Sequence, residues 1–175
     1  PKTVRRQRQM CIRDRNIAIV GATGNVGRKI IEVLERRNFS VTNLYLLASA
    51  KSSGVKIKFR DREIEVSDLE NFDFSKTDIT FFSAGAKISE KYVSTAAKHT
   101  VVIDNSSYFR MDPDVPLIVP QVNSKEIKNM KKNILANPNC STAQLVIVLK
   151  NLNDNFKIKR LVISTYQSTS GAGKK

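Results

Sequence analysis

Cys140 stands in the run Asn137-Pro138-Asn139-Cys140-Ser141-Thr142, between an apolar strand-like segment and an apolar helix-like one, so this spacing sets a thiol at the mouth of a helix. Backbone N–H groups are unpaired there and the helix dipole is positive. Together they can draw a thiol pKa from about 8.5 into a range of roughly 3.5–7.5 and make the sulfur a nucleophile. Upstream, Gly21-Ala22-Thr23-Gly24-Asn25-Val26-Gly27 follows one apolar run and opens a helical pattern. Glycines let a backbone turn tightly and approach a pyrophosphate, whose charge the helix start stabilises. A nucleophilic cysteine with a nicotinamide cofactor points to aldehyde oxidation or its reverse. Each motif also has a plainer reading, a small core cysteine and a glycine turn that packs a helix on a sheet. Against the first stand Asn137 and Asn139, both capping types, and Pro138, which restricts how the chain enters the helix.

The nature of the cofactor follows from an absence in the sequence. A fold specific for NAD places an acid about 20 residues beyond the glycines to hold the ribose hydroxyls, but between Arg36 and Arg60 there is none. Ala48-Ser49-Ala50-Lys51-Ser52-Ser53-Gly54 instead offers a cation, hydroxyls and backbone donors, which suit a 2′-phosphate, so NADP is favoured over NAD. A thiol catalyst also needs a base. His99 is the only histidine and precedes an apolar strand at Val101, which sets it at the amino end of a sheet, away from the thiol. It reads as a surface histidine at a helix end. A metal site is not expected, since no second cysteine or histidine lies at ligand spacing to Cys140.

These groups must be held by alternating strands and helices. Asn16–Val20 reads as a buried strand, followed by the glycine turn and a helix with Val26, Ile30, Val33 and Leu34 at helical spacing. Further strands are expected at Leu44–Leu47, as a polar pair within Val55–Val66, at Thr77–Phe82, Val101–Ile103, Leu117–Val119 and Asn133–Ala136. Helices are expected at Ser89–Lys98 and Ser124–Lys131. A third, Ser141–Leu149, is apolar nearly all round and should be buried. Phe156–Tyr166 reads as the start of another strand. The pattern implies an α/β, Rossmann-like fold, a mostly parallel sheet with helices on both faces and its ligands at the carboxyl ends of the strands.

The 175 residues, 41% hydrophobic, suffice for one full core. No apolar stretch reaches the roughly 18–20 residues of a membrane span. The two cysteines, Cys11 and Cys140, form no disulfide framework, and without a signal-peptide pattern a cytoplasmic protein with reduced thiols is expected. The net charge of +14 is partly an end effect, with six basic residues against one acid in the first fifteen. That run has no helical or strand period and reads either as a disordered basic arm or as an artefact. Without it, no basic block interleaved with aromatics remains and Trp is absent, so neither a nucleic-acid nor a membrane partner is expected.

With these residues in place, the chain from Asn16 onward resembles the N-terminal part of the aspartate-β-semialdehyde dehydrogenase family. Seven stretches match in order: Gly21–Gly27, Leu46–Gly54, Ser83–Gly85, Val102–Leu117, Val119–Asn123, Asn137–Thr142 and Thr165–Gly173. The resemblance implies a Rossmann-like NADP-binding domain over residues 16–139, after the arm at 1–15, and the truncated start of an α+β catalytic and dimerisation domain at 140–175. It implies Cys140 as the acyl-thioester nucleophile and Gln167 as the residue that orients the substrate carbonyl. Cofactor contacts are implied for Gly21, Thr23, Gly24, Asn25, Val26, Gly27, Lys51, Ser52, Ser83, Gly85, Ser170 and Gly171. Arg110 and Asn139 would bind the substrate phosphate, and the small-molecule substrates would be aspartyl phosphate or aspartate semialdehyde. Lys51 stands where relatives often carry Arg, and Ala86 and Gln121 where Gly and Glu are expected. The family's catalytic histidine, substrate arginine and most of its dimer surface would lie beyond Lys175, so this chain alone is expected to be inactive and its full-length parent a homodimer. The nearest rival, N-acetyl-γ-glutamyl-phosphate reductase, usually has Asn-Pro-Gly-Cys-Tyr, and glyceraldehyde-3-phosphate dehydrogenase has Ser-Cys-Thr-Thr-Asn. A nucleotide-binding module without chemistry is the alternative from another class.

Overall fold

The computed structural model describes residues 15–166. Cys11, Gln167, Ser170 and Gly171 lie outside the described residues. The chain forms β1 (Arg15–Val20), α1 (Asn25–Arg36), β2 (Val41–Ala48), β3 (Lys56–Phe59), β4 (Arg62–Asp68), β5 (Ile79–Phe82), α2 (Ala86–Ala96), β6 (Val101–Asp104), α3 (Pro120–Asn123), β7 (Ile134–Ala136) and α4 (Cys140–Phe156). They build one seven-stranded sheet in the order β3-β4-β2-β1-β5-β6-β7. Every pairing is parallel except the β3–β4 hairpin.

β1 is the centre of this sheet, and its run of apolar residues reflects burial on both faces. Ile17 and Ile19 point to one side with Ile31 and Leu34 of α1. Ala18 and Val20 point to the other with Val93 and Ala96 of α2. Alternate strand residues thus feed two cores, and the helices lie on both faces as the pattern requires. α1 presents Gly27, Ile31 and Leu34 inward at i, i+4 and i+7. It stops where Asn38 takes a left-handed φ of 48° and the Phe39 N–H turns back to the Leu34 carbonyl. From β1 the chain moves one way to β2, then returns after β4 to the opposite side at β5. That reversal opens a crevice between the carboxyl ends of β1 and β5.

Four expectations need correction. Leu117–Val119 is not a strand: Leu117 makes one isolated bridge to Ala136. The Ser124–Lys131 segment is a 3₁₀ helix over Ser124–Asn129 after the single turn of α3, since the one apolar residue within Ser124–Asn129, Ile127, is itself exposed and gives no apolar face to bury and hold a longer helix. The apolar helix after Cys140 is longer than expected, and none of its residues is buried. Val148 is 61% and Phe156 78% exposed, and Phe156–Tyr166 continues without pairing as a strand. Both follow from one cause, because among the described residues only the single turn of α3 lies against that helix and no strand pairs with that segment. No helix among the described residues is long and apolar enough to cross a membrane.

The turn after β1 tests the role of its glycines. A Cβ on Gly27 would lie 2.2 Å from the Gly21 carbonyl oxygen, whereas one on Gly24 would meet the same oxygen at 3.3 Å. Gly27→Ala is therefore expected to lower stability in urea denaturation by about 2 kcal/mol or more, the scale of overpacking. Gly24→Ala should have a clearly smaller effect.

Candidate active site

The register of the parallel strands aligns the site. Val20 pairs with Phe82, Phe82 with Asp104, and Asp104 with Ala136. Gly21, Ser83, Asn105 and Asn137 therefore each leave the sheet at one level, in a row that spans about 14 Å at the usual strand spacing. Three helices start just above this row: α1 after β1, α2 after β5 and α4 after β7.

At the glycine end, Gly21 has φ +86°, and a Cβ there would lie 2.9 Å from the Ser83 carbonyl, so the β1 and β5 loops touch backbone to backbone. α1 starts at Gly24 and α2 at Gly85, whose φ is 91°. Neither start has a side-chain cap or an acid in its first turn. The first N–H groups of both helices thus face the crevice with no side chain bound to them, a cradle for an anion. The site-residue readings at Gly21, Thr23, Gly24, Asn25, Val26, Gly27 and Gly85 all fall in this cradle. Ser83 is at its wall, but its hydroxyl donates to the Val20 carbonyl at 2.9 Å and ties β5 to β1. Lys51 and Ser52 lie in a short 3₁₀ turn at the carboxyl end of β2, with Lys51 exposed. Arg28, which the sequence reading passed over, reaches back from α1 to the Thr23 carbonyl at 3.2 Å and adds a cation beside the loop.

At the thiol end, Asn139 caps α4. Its Oδ1 accepts from the Ser141 N–H at 2.9 Å and lies 3.9 Å from Cys140 Sγ. With Oδ1 fixed as an acceptor, the Asn139 amide group can donate to an anion. Cys140 itself is exposed. Asn137 does not cap; its Nδ2 donates to Asn105 Oδ1 and joins the β6 and β7 rims. Arg110 is set across the same two rims, with Nε donating to the Asn137 carbonyl at 3.0 Å and Nη2 to the Asn105 carbonyl at 3.2 Å. The structure thus ties Arg110 to the start of the Asn137–Cys140 segment, in which Asn139 lies beside the thiol, and puts the glycine cradle three strands away. His99 is exposed ahead of β6, at the opposite edge.

Asp104 was absent from the sequence-derived site. It is fully buried at the end of β6. Its carboxylate accepts from Ser89 Oγ at 2.8 Å, Ser106 N at 3.0 Å and Ser106 Oγ at 2.7 Å. The signal was present, an acid ending an apolar strand and followed two residues on by Ser, the spacing of an Asx turn. A cavity of about 610 Å³ lies elsewhere, between the first half of β2 and the β3–β4 hairpin. It gathers no cysteine and no helix start, so the open carboxyl rim is the candidate site. Among the described residues no three His, Cys, Asp or Glu side chains group as a metal site.

The loop that carries Arg110 is also held from outside. Lys132 reaches Asp112 at 2.9 Å and Asp114 at 3.5 Å, and Lys131 reaches Asp114 at 2.9 Å. The hydrogen bond from Lys132 holds the Asp112 carboxyl below its ordinary value, and that from Lys131 does the same for Asp114.

Residues 16–130 match the family model described as the NAD-binding domain of semialdehyde dehydrogenase. An aspartate-semialdehyde dehydrogenase from Campylobacter jejuni is 54% identical over 162 residues, covering 90% of this chain and 47% of its own. A crystal structure of aspartate semialdehyde dehydrogenase II from Vibrio cholerae superimposes with a TM-score of 0.90 at 47% identity, over 92% of this chain and 49% of that one. The Candida albicans enzyme solved with NADP gives 0.62 at 27% identity, over 83% and 48%. The chain spans about half the length of the curated relatives it matches.

The Asp112–Asp114 cluster sets a pH dependence. A carboxyl whose pKa is depressed on folding contributes stability above the ordinary aspartate value of 3.8, and that contribution is lost as pH falls through the lower, folded value. Lys132→Met is therefore expected to lower the urea midpoint at neutral pH, with the difference from the parent chain shrinking towards zero below pH 3.8. A difference that does not change with pH would contradict the pairing.

Proposed function

The chain belongs to the semialdehyde dehydrogenase family, and from that premise we propose that it is the nicotinamide-binding half of an NADP-dependent aspartate-semialdehyde dehydrogenase in which Cys140 forms an acyl thioester. The observation that carries this reading is the placement of an exposed cysteine at a helix start, with Arg110 bonded to the carbonyl three residues before it.

The residues present fit the cofactor. The Gly21–Gly27 turn, with no room for a Cβ on Gly27, and the two helix starts without side-chain caps would hold the pyrophosphate. Lys51 and Ser52 at the end of β2 would meet the 2′-phosphate, and no acid stands there to repel it. Ser170 and Gly171 belong to the same reading, from the glycine segment outside the described residues. When bound, the nicotinamide supplies the hydride that reduces the thioester to the semialdehyde.

The rest falls to the chain's own residues. In the biosynthetic direction Cys140 Sγ attacks the acyl carbon of aspartyl 4-phosphate. A C–S bond forms, the C–O bond to phosphate breaks, and the leaving phosphate is received by Arg110 and the Asn139 amide, planar donors suited to its oxygens. The start of α4 favours the negative charge that develops on the carbonyl oxygen. Gln167 orients that carbonyl. His99, the one histidine, lies at the opposite edge and is not placed to handle protons at the rim. The exposed apolar residues of α4 support a packing partner for that helix in a longer, homodimeric, cytoplasmic parent.

Incubation of the 175-residue chain with aspartyl phosphate tests the thiol step. The expected outcome is a hydroxylamine-labile aspartyl adduct on Cys140 by mass spectrometry, absent in Cys140→Ser, with no continuing NADPH consumption. An adduct on other residues alone would overturn the mechanism, and sustained turnover would overturn the inactivity of this chain. In fluorescence titrations NADPH should bind more tightly than NADH, and Lys51→Ala should weaken NADPH by about tenfold while leaving NADH nearly unchanged. Equal affinities would refute the cofactor assignment.

A further inference from the structure

The geometry points to Asp104 as the positioning residue for Arg110, fixing the direction in which its guanidinium faces an anion beside Cys140. This inference rests on the reading of Arg110 as the donor to the substrate's phosphate.

The structural chain is short and continuous. Asp104 ends β6 with no exposed surface, and its carboxylate is filled from two directions: Ser89 on α2, and the N–H and hydroxyl of Ser106. The Ser106 hydroxyl in turn accepts the Tyr108 N–H at 3.1 Å. The backbone therefore turns tightly over Asn105–Tyr108, and the Asn105 carbonyl there meets Arg110 Nη2. On the other side, the Asp104 carbonyl accepts the Asn137 N–H at 2.8 Å, which sets the height of the segment leading to Cys140. Asn105 and Asn137 are the two residues whose carbonyls hold Arg110. One buried side chain and its own peptide group thus fix both anchors of the guanidinium.

The consequence for binding is geometric. Nε and one Nη2 hydrogen are committed to the two carbonyls, which leaves the Nη1 end of the fork outside those bonds and available to an anion. An arginine on a loose loop would supply the same charge without that orientation. Asp104 is a buried acceptor with three donors, so Asp104→Ala leaves those donors unpaired and releases the turn. Asp104→Asn keeps the shape. Its Oδ1 can accept from Ser89 and from the Ser106 N–H, while its amide donates to the Ser106 hydroxyl.

Alkylation of Cys140 reads this without turnover or cofactor. In a Cys11→Ser background of the full 175-residue chain, the rates with anionic iodoacetate and neutral iodoacetamide are compared. Their ratio reports the cation beside the thiol, while the neutral reagent alone reports exposure and folding. Relative to the parent chain, Arg110→Ala should lower the ratio by up to about fivefold, what one full charge exerts at about 4 Å in water. Asp104→Ala should lower it by a comparable factor, Ser106→Ala by less, and Asp104→Asn should keep it within about twofold. If Arg110→Ala lowers the ratio but Asp104→Ala and Ser106→Ala do not, the positioning role is overturned while the site reading survives. If Arg110→Ala itself has no effect, the site reading fails first. Should Asp104→Ala fail to fold, Ser106→Ala and Asp104→Asn decide: a lowered ratio in Ser106→Ala with a preserved one in Asp104→Asn supports the proposal, and any other pattern overturns it.

Discussion

The register of four parallel strands is the constraint on which the rest of this structure depends. Because Val20, Phe82, Asp104 and Ala136 pair at one level, the four loops that follow leave the sheet side by side. A shift of one residue in any pairing would turn each side chain of that strand to the other face and carry its loop out of line. The two apolar cores prevent this, since Ile17 and Ile19 belong to one and Ala18 and Val20 to the other. Burial on both faces thus sets the positions of groups that are themselves exposed.

The two ends of the rim are made by different means. The glycine end works by removal of atoms: no side chain at Gly27, backbone contact between Gly21 and Ser83, and helix starts without side-chain caps or acids in their first turns. The thiol end works by added polar bonds, with Asp104, Asn105, Asn137 and Arg110 linked across two strands. The first suits a large anionic ligand that supplies its own bonds. The second suits a small group that must meet one sulfur atom in one orientation.

Much of this was legible in the chain. The strand, glycine turn and helix at the start, the alternation that calls for a parallel sheet, the helix start at Cys140 and the position of His99 at the far edge all follow from periodicity and local turn chemistry. What failed was burial and pairing. The helix after Cys140 reads as buried because Leu145, Val146, Ile147 and Val148 are apolar, yet all its residues have exposed surface. Phe156–Tyr166 has strand character without a partner. Hydrophobic pattern states what a segment would cover, and among the described residues only the single turn of α3 meets the helix and no strand pairs with the segment.

The sequence by itself determined the type of fold, the thiol at a helix start and the glycine cradle, because each depends on residues within a few positions of one another. Only the tertiary structure decided that Arg110 is bonded to the carbonyls of Asn105 and Asn137, that Asn137 is a tie rather than a cap, and that Asp104 supports both anchors. Apart from the Arg110–Asn105 bond, those contacts join residues about thirty positions apart. They exist because strand pairing brings β6 beside β7, a relation that no local pattern encodes.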